Sequence, residues 1–318
     1  MTDQPLVLVL SADRDPQLDL LGAIPHVIGS GRGDFGGSVQ QAAAILHWSG
    51  SRDALREVFL ACPNLRWMHS RNAGLENTLF PELVASPIPL TNGSGVFSQS
   101  LGEFALAAML YFAKDFTRML RNKAARRWEQ FEVEEIAGQT AGIVGYGDIG
   151  RAVAARAKAM GMKILALKRH APAEANPLID RFYAPAEMRE MMALSDYVVV
   201  AAPLTSETRH MVSDAEFAAM KRTAVAINVG RGAVIDQAAL VRALESKQIR
   251  GAALDVFEEE PIPPGDPIWA FDNVFISPHT ADRTATWLHE AIEFFLAQYE
   301  RFSKGEPLMN VVNKRLGY

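Results

Sequence analysis

The chain has 318 residues, 49% of them hydrophobic and 22% charged, with a net charge of −5. This is the composition of a globular protein with sizeable cores and room for two domains, and its acidic balance gives no global attraction for nucleic acid or an anionic membrane. The single cysteine, Cys62, excludes an intrachain disulfide or a cysteine-based metal cluster; beside Pro63, after an apolar helical stretch, it reads as a buried structural thiol. No apolar run approaches the roughly 20 residues of a membrane helix. The start, Met1-Thr-Asp-Gln-Pro5, lacks the basic residues of a signal peptide, so a cytoplasmic location is expected.

Leu6–Leu10 is a continuous apolar run, the mark of a strand buried on both faces. Gly29, Gly31, Gly33, Gly36 and Gly37 then crowd a segment that no apolar strand enters directly, and a flexible loop is expected there. Strand patterns at 43–48, 65–70 and 88–92, with a helix at 52–60, predict a small α/β unit with a parallel sheet. Residues 100–123 carry apolar side chains over more than one face (Leu101, Phe104, Ala105, Ala108, Met109, Phe112, Phe116), predicting one long buried helix. A polar arm over 121–135, with Trp128, follows.

The stretch Thr140-Ala-Gly-Ile-Val-Gly-Tyr-Gly-Asp-Ile-Gly150 organises the rest. Ile143 and Val144 run into Gly145, Gly147 and Gly150, and Ile149, Val153, Ala157 and Met160 continue at helical spacing. G-x-G-x-x-G between a strand and a helix is the dinucleotide-binding fingerprint. The first glycine permits the turn, the second admits a pyrophosphate, and the third lets helix and strand pack closely. Free N–H groups at the helix start attract the phosphates. Residues 145–150 are therefore candidate cofactor contacts. Strands at 164–168, 197–202, 224–229, 251–256 and 274–277 alternate with helices at 187–194, 213–220 and 237–246, the doubly wound pattern. Ser213 with Glu216 reads as a capping box and Asp236 as an N-cap. The last helical segment, 283–302, is too long for a crossover and is expected to return to the first body. The predicted division is 99–285 for the dinucleotide domain and 1–98 with 286–318 for a discontinuous substrate domain.

Three polar features close strands of the second body, where doubly wound folds place ligands. They are Asn228-Val-Gly-Arg-Gly232, Leu254-Asp-Val-Phe-Glu-Glu-Glu-Pro261 and Ser277-Pro-His-Thr280. Singly, each has an ordinary reading: a solvated arginine, an acidic surface turn, a structural histidine. Together they complement one another. Hydride transfer to a carbonyl needs a proton donor that works near neutral pH, and histidine is the natural one. A carboxylate orients the imidazole and stabilises its charged form, and an arginine fork matches a substrate carboxylate. His26, His47, His69, His170, His210 and His289 lack a comparable setting and read as structural.

With these residues in place, the chain resembles the D-2-hydroxyacid dehydrogenase family over about 65–315, in an ordered series. Ala73-Gly74-Leu75, Thr91-Asn92, Gly145 to Gly150, Pro203-Leu204-Thr205, Asn228 to Gly232, Asp255 to Pro261 and Ser277 to Thr280 occur in family order. The resemblance implies an α/β fold with two Rossmann-like domains, a doubly wound parallel sheet for the cofactor and a smaller, discontinuous flavodoxin-like substrate domain. It implies Arg231 as substrate anchor, His279 as acid/base, and Glu260, directly before Pro261, as its partner; Glu258 and Glu259 are carboxylates close enough to be confused with it. Backbone N–H groups around Ala73, Gly74 and Leu75 are implied to hold the substrate carboxylate. Ala202, Pro203, Val229, Asp255 and His279 are implied cofactor neighbours, Asp255 at the nicotinamide carboxamide. The expected activity is NAD(P)H-linked reduction of a small 2-oxoacid such as glyoxylate or hydroxypyruvate, by a homodimer. The rival readings are a dinucleotide-sensing binding protein of corepressor type and, more weakly, a formate dehydrogenase.

One departure bears on the cofactor. About 20 residues past the glycines an NAD enzyme offers a carboxylate to the ribose 2′-hydroxyl. Here that place holds Ala166-Leu-Lys-Arg-His170. Lys168 and Arg169 suit a 2′-phosphate, so NADP(H) is expected over NAD(H); the alternative is two solvated cations with NAD held elsewhere. Arg283 is expected to point outward at the start of the last helix, and Trp48 and Trp287 to serve in packing.

Overall fold

The computed structural model describes residues 4–169 and 176–318, so His170 lies outside the described residues. The chain divides into two compact units, residues 1–97 with 284–318 and residues 98–283.

Unit 1 opens with β1 (Leu6–Leu10), β2 (His26–Gly29), α1 (Arg32–Phe35), β3 (Ala42–His47), α2 (Arg52–Ala61), β4 (Trp67–Ser70), α3 (Pro81–Ala85) and β5 (Leu90–Asn92). Its sheet is parallel throughout, in the order β2-β1-β3-β4-β5, the flavodoxin-like arrangement. β1 and β3 are almost entirely buried, which is why they read as unbroken apolar runs. Cys62 lies in this core, where burial pushes its thiol up to about 11; it is a packing residue, not a nucleophile.

Unit 2 contains α4 (Ser98–Ala113), α5 (Phe116–Ala124), β6 (Thr140–Val144), α6 (Asp148–Ala159), β7 (Lys163–Leu167), β8 (Arg181–Tyr183), α7 (Met188–Leu194), β9 (Tyr197–Val200), α8 (Asp214–Ala219), β10 (Val225–Asn228), α9 (Gln237–Glu245), β11 (Gly251–Leu254) and β12 (Val274–Ile276). The chain then returns to unit 1 as α10 (Trp287–Lys304), whose Phe295 stacks on Trp67 at 5.3 Å. The sheet of unit 2 is also parallel, in the order β12-β11-β10-β9-β6-β7-β8. β6 pairs with β7 on one side and β9 on the other. The strand order reverses there, and an open α/β sheet binds its ligand at that reversal, beyond the carboxyl ends of the strands.

Three local expectations are corrected. The glycine-crowded segment is not a loop: β2 leads into it, and α1 and a 3-10 turn over Gly36–Gln40 occupy it. Asp34 helps set this by accepting from Ser30 N at 2.7 Å and Ser30 Oγ at 2.8 Å. The helix expected over 100–123 is two helices. Asp115 adopts a left-handed φ of 50° between them and caps α5 by accepting from Arg118 N at 3.2 Å. The last helix begins at Trp287, four residues later than its pattern suggests.

Candidate active site

The fingerprint turn shows in unit 2 what each glycine is for. Gly145 has φ +100°, and a Cβ there would lie 2.7 Å from Ala202 N at the end of β9. A Cβ on Gly150 would lie 2.3 Å from Gly145 O and 3.2 Å from Ile143 Cγ2, so α6 could not sit this close to β6 with any other residue. Gly147 is the opposite case: a Cβ there would meet nothing within 4 Å. It is also the N-cap of α6 and offers no side chain to the first N–H groups of the helix. An open space in front of an uncapped N-terminus fits a pyrophosphate. Tyr146 and Ile149 point away from that space. Tyr146 is buried, accepting at its hydroxyl from Asn176 Nδ2 at 3.0 Å, and Ile149 packs against the same core; Asp148 pairs with Arg151 one turn on.

Lys168 and Arg169 follow β7. Lys168 N donates to Tyr183 O at 3.0 Å and its Nζ lies 5.9 Å from the Tyr146 ring centre. Arg169 is exposed and ion-paired with Glu207, a partner 38 residues away that its sequence neighbourhood does not announce. Ala202 and Val229 are buried at the ends of β9 and β10, with Pro203 exposed beside them. Thr208 Oγ1 donates to Pro203 O at 2.6 Å and fixes that loop.

The catalytic candidates stand on the next strand ends. Asn228 shapes the turn after β10: its Nδ2 donates to Arg231 O at 3.1 Å and its Oδ1 accepts from Gly230 N at 3.1 Å. A Cβ on Gly232 would lie 1.8 Å from Phe257 O, so the loops after β10 and β11 touch backbone to backbone. Arg231, half-buried, donates from Nη1 to Gly230 O at 2.8 Å. Asp255, 1% exposed, builds the loop that carries the histidine. Its Oδ1 accepts from Ser277 Oγ at 2.6 Å and from the N–H groups of Thr280 and Ala281 at 3.0 Å, while its carbonyl accepts from His279 N at 2.9 Å. His279 is held at φ 51° by these bonds.

His279 Nδ1 lies 2.6 Å from Glu260 Oε2, and the other oxygen of Glu260 accepts from Phe257 N at 2.9 Å. The neighbouring Glu258 is taken by His210, which pairs with it, and by Gln237, whose Oε1 accepts from Glu258 N at 3.2 Å. His210, read from sequence as structural, is thus one half of a second histidine–glutamate pair, which ties the loop after β9 to the loop after β11. Asp282, three residues past His279, is half-buried. Burial raises its carboxyl above the usual range and Asp255 adds to this, while the His279 charge opposes it. Among the sequence-predicted residues, the structure brings Arg231, Asp255, Glu260 and His279 to adjoining strand ends.

In unit 1, Ala73, Gly74 and Leu75 form the loop after β4. Asn92 Nδ2 donates to Ala73 O at 2.7 Å and steadies it. Leu75 is 3% exposed and packs in the core, so only its backbone is available to a ligand. Among the described residues no helix is long and apolar enough to cross a membrane.

A reversed strand order with an open glycine turn beside it, and a histidine–glutamate pair and an arginine on the neighbouring strand ends, define a dinucleotide-dependent dehydrogenase. Residues 106–281 match the pattern of the D-isomer specific 2-hydroxyacid dehydrogenase NAD-binding domain. A glyoxylate reductase of Korarchaeum cryptofilum is 36% identical over 266 residues, covering 82% of this chain and 80% of the relative. One from Pyrococcus furiosus is 33% identical over 270 residues, with the same coverage of 82% and 80%. Among solved structures, a D-isomer specific 2-hydroxyacid dehydrogenase from Xanthobacter autotrophicus, in complex with NADPH and MES, has a TM-score of 0.85 at 30% identity, over 99% of this chain and 100% of that one. An NADPH-dependent glyoxylate/hydroxypyruvate reductase from Sinorhizobium meliloti, in complex with citrate, has a TM-score of 0.81 at 26% identity over 99% and 100%. The chain belongs to the D-isomer specific 2-hydroxyacid dehydrogenase family. It is an NAD(P)-dependent dehydrogenase.

Proposed function

We propose that the protein reduces a small 2-oxoacid of the glyoxylate or hydroxypyruvate kind to the D-2-hydroxyacid, with NADP(H) preferred over NAD(H). The observation that carries this reading is the His279–Glu260 contact of 2.6 Å. When bound, the nicotinamide supplies the hydride. His279, its Nδ1 held by Glu260, presents Nε2 as the proton donor to the substrate's C2 oxygen; Glu260 fixes the tautomer and stabilises the imidazolium. Arg231 takes the C1 carboxylate and polarises the adjoining carbonyl. The glyoxylate reductases of Korarchaeum and Pyrococcus support the substrate class. Replacing His279 by Ala should lower kcat by roughly 100-fold or more, as for loss of a general acid, with dinucleotide affinity retained. Turnover near the parental rate on a panel of 2-oxoacids overturns the assignment; a parental protein that binds NADPH yet reduces none of them is a dinucleotide-sensing protein instead.

The cofactor preference rests on Lys168 and Arg169, which stand where an NAD enzyme presents a carboxylate. Glu207 already shares the charge of Arg169, which leaves Lys168 the larger share of the 2′-phosphate. The NADPH-bound Xanthobacter relative agrees with this reading. In the variants Lys168→Asp and Arg169→Asp, the ratio of NADPH to NADH affinity should fall by about tenfold or more, the size of one lost charge-assisted hydrogen bond. An unchanged ratio in both sinks the preference.

A further inference from the structure

Glu260, the partner of His279, stands in a loop with little support of its own. Residues 258–260 are exposed, and among the described residues their backbone makes no hydrogen bond to another backbone group. Phe257 anchors the start of the stretch: it is buried, and its carbonyl lies so near Gly232 that a Cβ there would approach it to 1.8 Å. Beyond that point, the polar contacts that reach 258–260 from other loops come from His279 on Glu260, and from His210 and Gln237 on Glu258. His279 is the side chain to be held, so the placement of Glu260 falls to the other two.

His210 belongs to the loop after β9, and its backbone is pinned. Its N–H donates to Ala233 O at 2.8 Å, and two residues on, Val212 N donates to Val234 O at 3.2 Å. The residue adopts a left-handed φ of 53°, which glycine would adopt at less cost, so the backbone gives no reason for an imidazole here. Asp236, the other carboxylate that senses the charge of His210, already accepts from Ala239 N at 3.0 Å and from Ser213 Oγ at 3.0 Å. Glu258 is thus the partner of the ring. As a source of stability the pair is worth little, because its side chains are 44% and 33% exposed. What the pair fixes is the position of Glu258, and with it that of Glu260 two residues on.

We propose that His210 is a positioning residue for the acid/base pair: through Glu258 it fixes the loop that sets Glu260 against Nδ1 of His279. This rests on the 2-oxoacid reductase reading, in which Glu260 keeps the ring proton on Nδ1 and leaves Nε2 to the substrate. A misplacement of about 1 Å in such a constellation is enough to cost turnover heavily. The loop after β9 begins beside Ala202 and Pro203, the implied cofactor neighbours, so His210 also joins the dinucleotide side of unit 2 to its proton-donating side.

The test compares two variants of the full-length protein: His210→Leu, which cannot donate to Glu258, and His210→Gln, whose amide still can. One measurement needs no turnover. The ring-nitrogen resonances of His279, assigned by their loss in His279→Ala, report the tautomer of the neutral ring at about pH 8.5. The Nδ1–H form should dominate in the parental protein and in His210→Gln, and a mixture of both tautomers should appear in His210→Leu. The second measurement is steady-state reduction of glyoxylate. Here kcat should fall about tenfold in His210→Leu and less than about threefold in His210→Gln, with NADPH affinity unchanged in both. Glu258→Ala, at an exposed loop position, should reproduce His210→Leu in both measurements and keeps the test open if His210→Leu does not fold. An unchanged tautomer in His210→Leu overturns the proposal, as does an unchanged kcat or an equal loss in His210→Leu and His210→Gln. If the parental protein reduces no 2-oxoacid, the reductase reading fails, and the tautomer comparison alone decides whether His210 positions Glu260.

Discussion

At the scale of single residues, the second and third glycines of the fingerprint separate folding from binding. Gly150 is surrounded by protein and Gly147 by space. Gly150→Ala should destabilise unit 2 by about 1–3 kcal/mol, the usual cost of overpacking, seen as a lower urea midpoint. Gly147→Ala should leave stability within about 0.5 kcal/mol and weaken NADPH binding by roughly tenfold, because its methyl enters the space in front of α6. Equal effects of the two variants on stability would contradict the division. The same contrast shows what was readable beforehand. A glycine motif announces its turn because backbone geometry is local. The choice of Glu260 among three consecutive glutamates was not readable from spacing, since Glu258 is taken by a histidine 48 positions earlier in the chain.

At the scale of elements, strands that carry an apolar run were legible, the three-residue edge strands β5 and β12 included, and β2 and β8 were not. β1, β3, β9 and β10 are buried along almost their whole length and appear as apolar runs. β2 and β8, with four and three residues at the edges of their sheets, carry mixed side chains and leave no such run. Helix α5 escaped as a separate element for a different reason. Its break from α4 depends on one left-handed residue, Asp115, inside a pattern that continues to look helical. The break has a consequence. Phe116, Met119 and Leu120 of α5 are exposed, Leu120 to 60%, and Trp128 just beyond it to 94%. Exposed apolar side chains on one helix face, with an exposed indole in the arm beyond it, suit a protein interface, and we propose that α5 and the arm after it form the isologous contact of a homodimer. Leu120→Glu with Trp128→Glu should shift the sedimentation profile from dimer to monomer while the far-ultraviolet dichroism is kept. A parental protein that sediments as a monomer refutes the proposal.

At the scale of the whole molecule, the two histidines buried among the described residues both lie in unit 1, and acid should act there first. His47 and His69, 3% and 1% exposed, lie in unit 1. Desolvation holds them down at about 4 and about 3, and each ring meets a threonine hydroxyl through Nδ1, Thr78 at 3.1 Å and Thr91 at 2.7 Å. In unit 2, the side chains of His210 and His279 are 44% and 40% exposed. A histidine whose folded pKa lies below its unfolded value of 6.5 binds its proton more readily unfolded. Its stabilising contribution is therefore complete above about pH 6.5 and is lost as pH falls toward the folded value. The loss approaches ~1.4 kcal/mol per pH unit for each such group between about pH 6 and pH 4. Two groups of this kind should make unit 1 the acid-labile half. Tryptophan fluorescence can follow it, because Trp48 and Trp67 are buried in unit 1, whereas Trp128 and Trp269 of unit 2 are already exposed to 94% and 52%. Urea titrations of the full-length protein should show the fluorescence midpoint falling between about pH 7 and pH 5. The variant His69→Phe should flatten that dependence by about half, since it removes one of the two titrating groups. A midpoint independent of pH over this range, or a slope untouched by His69→Phe, would place the acid sensitivity elsewhere.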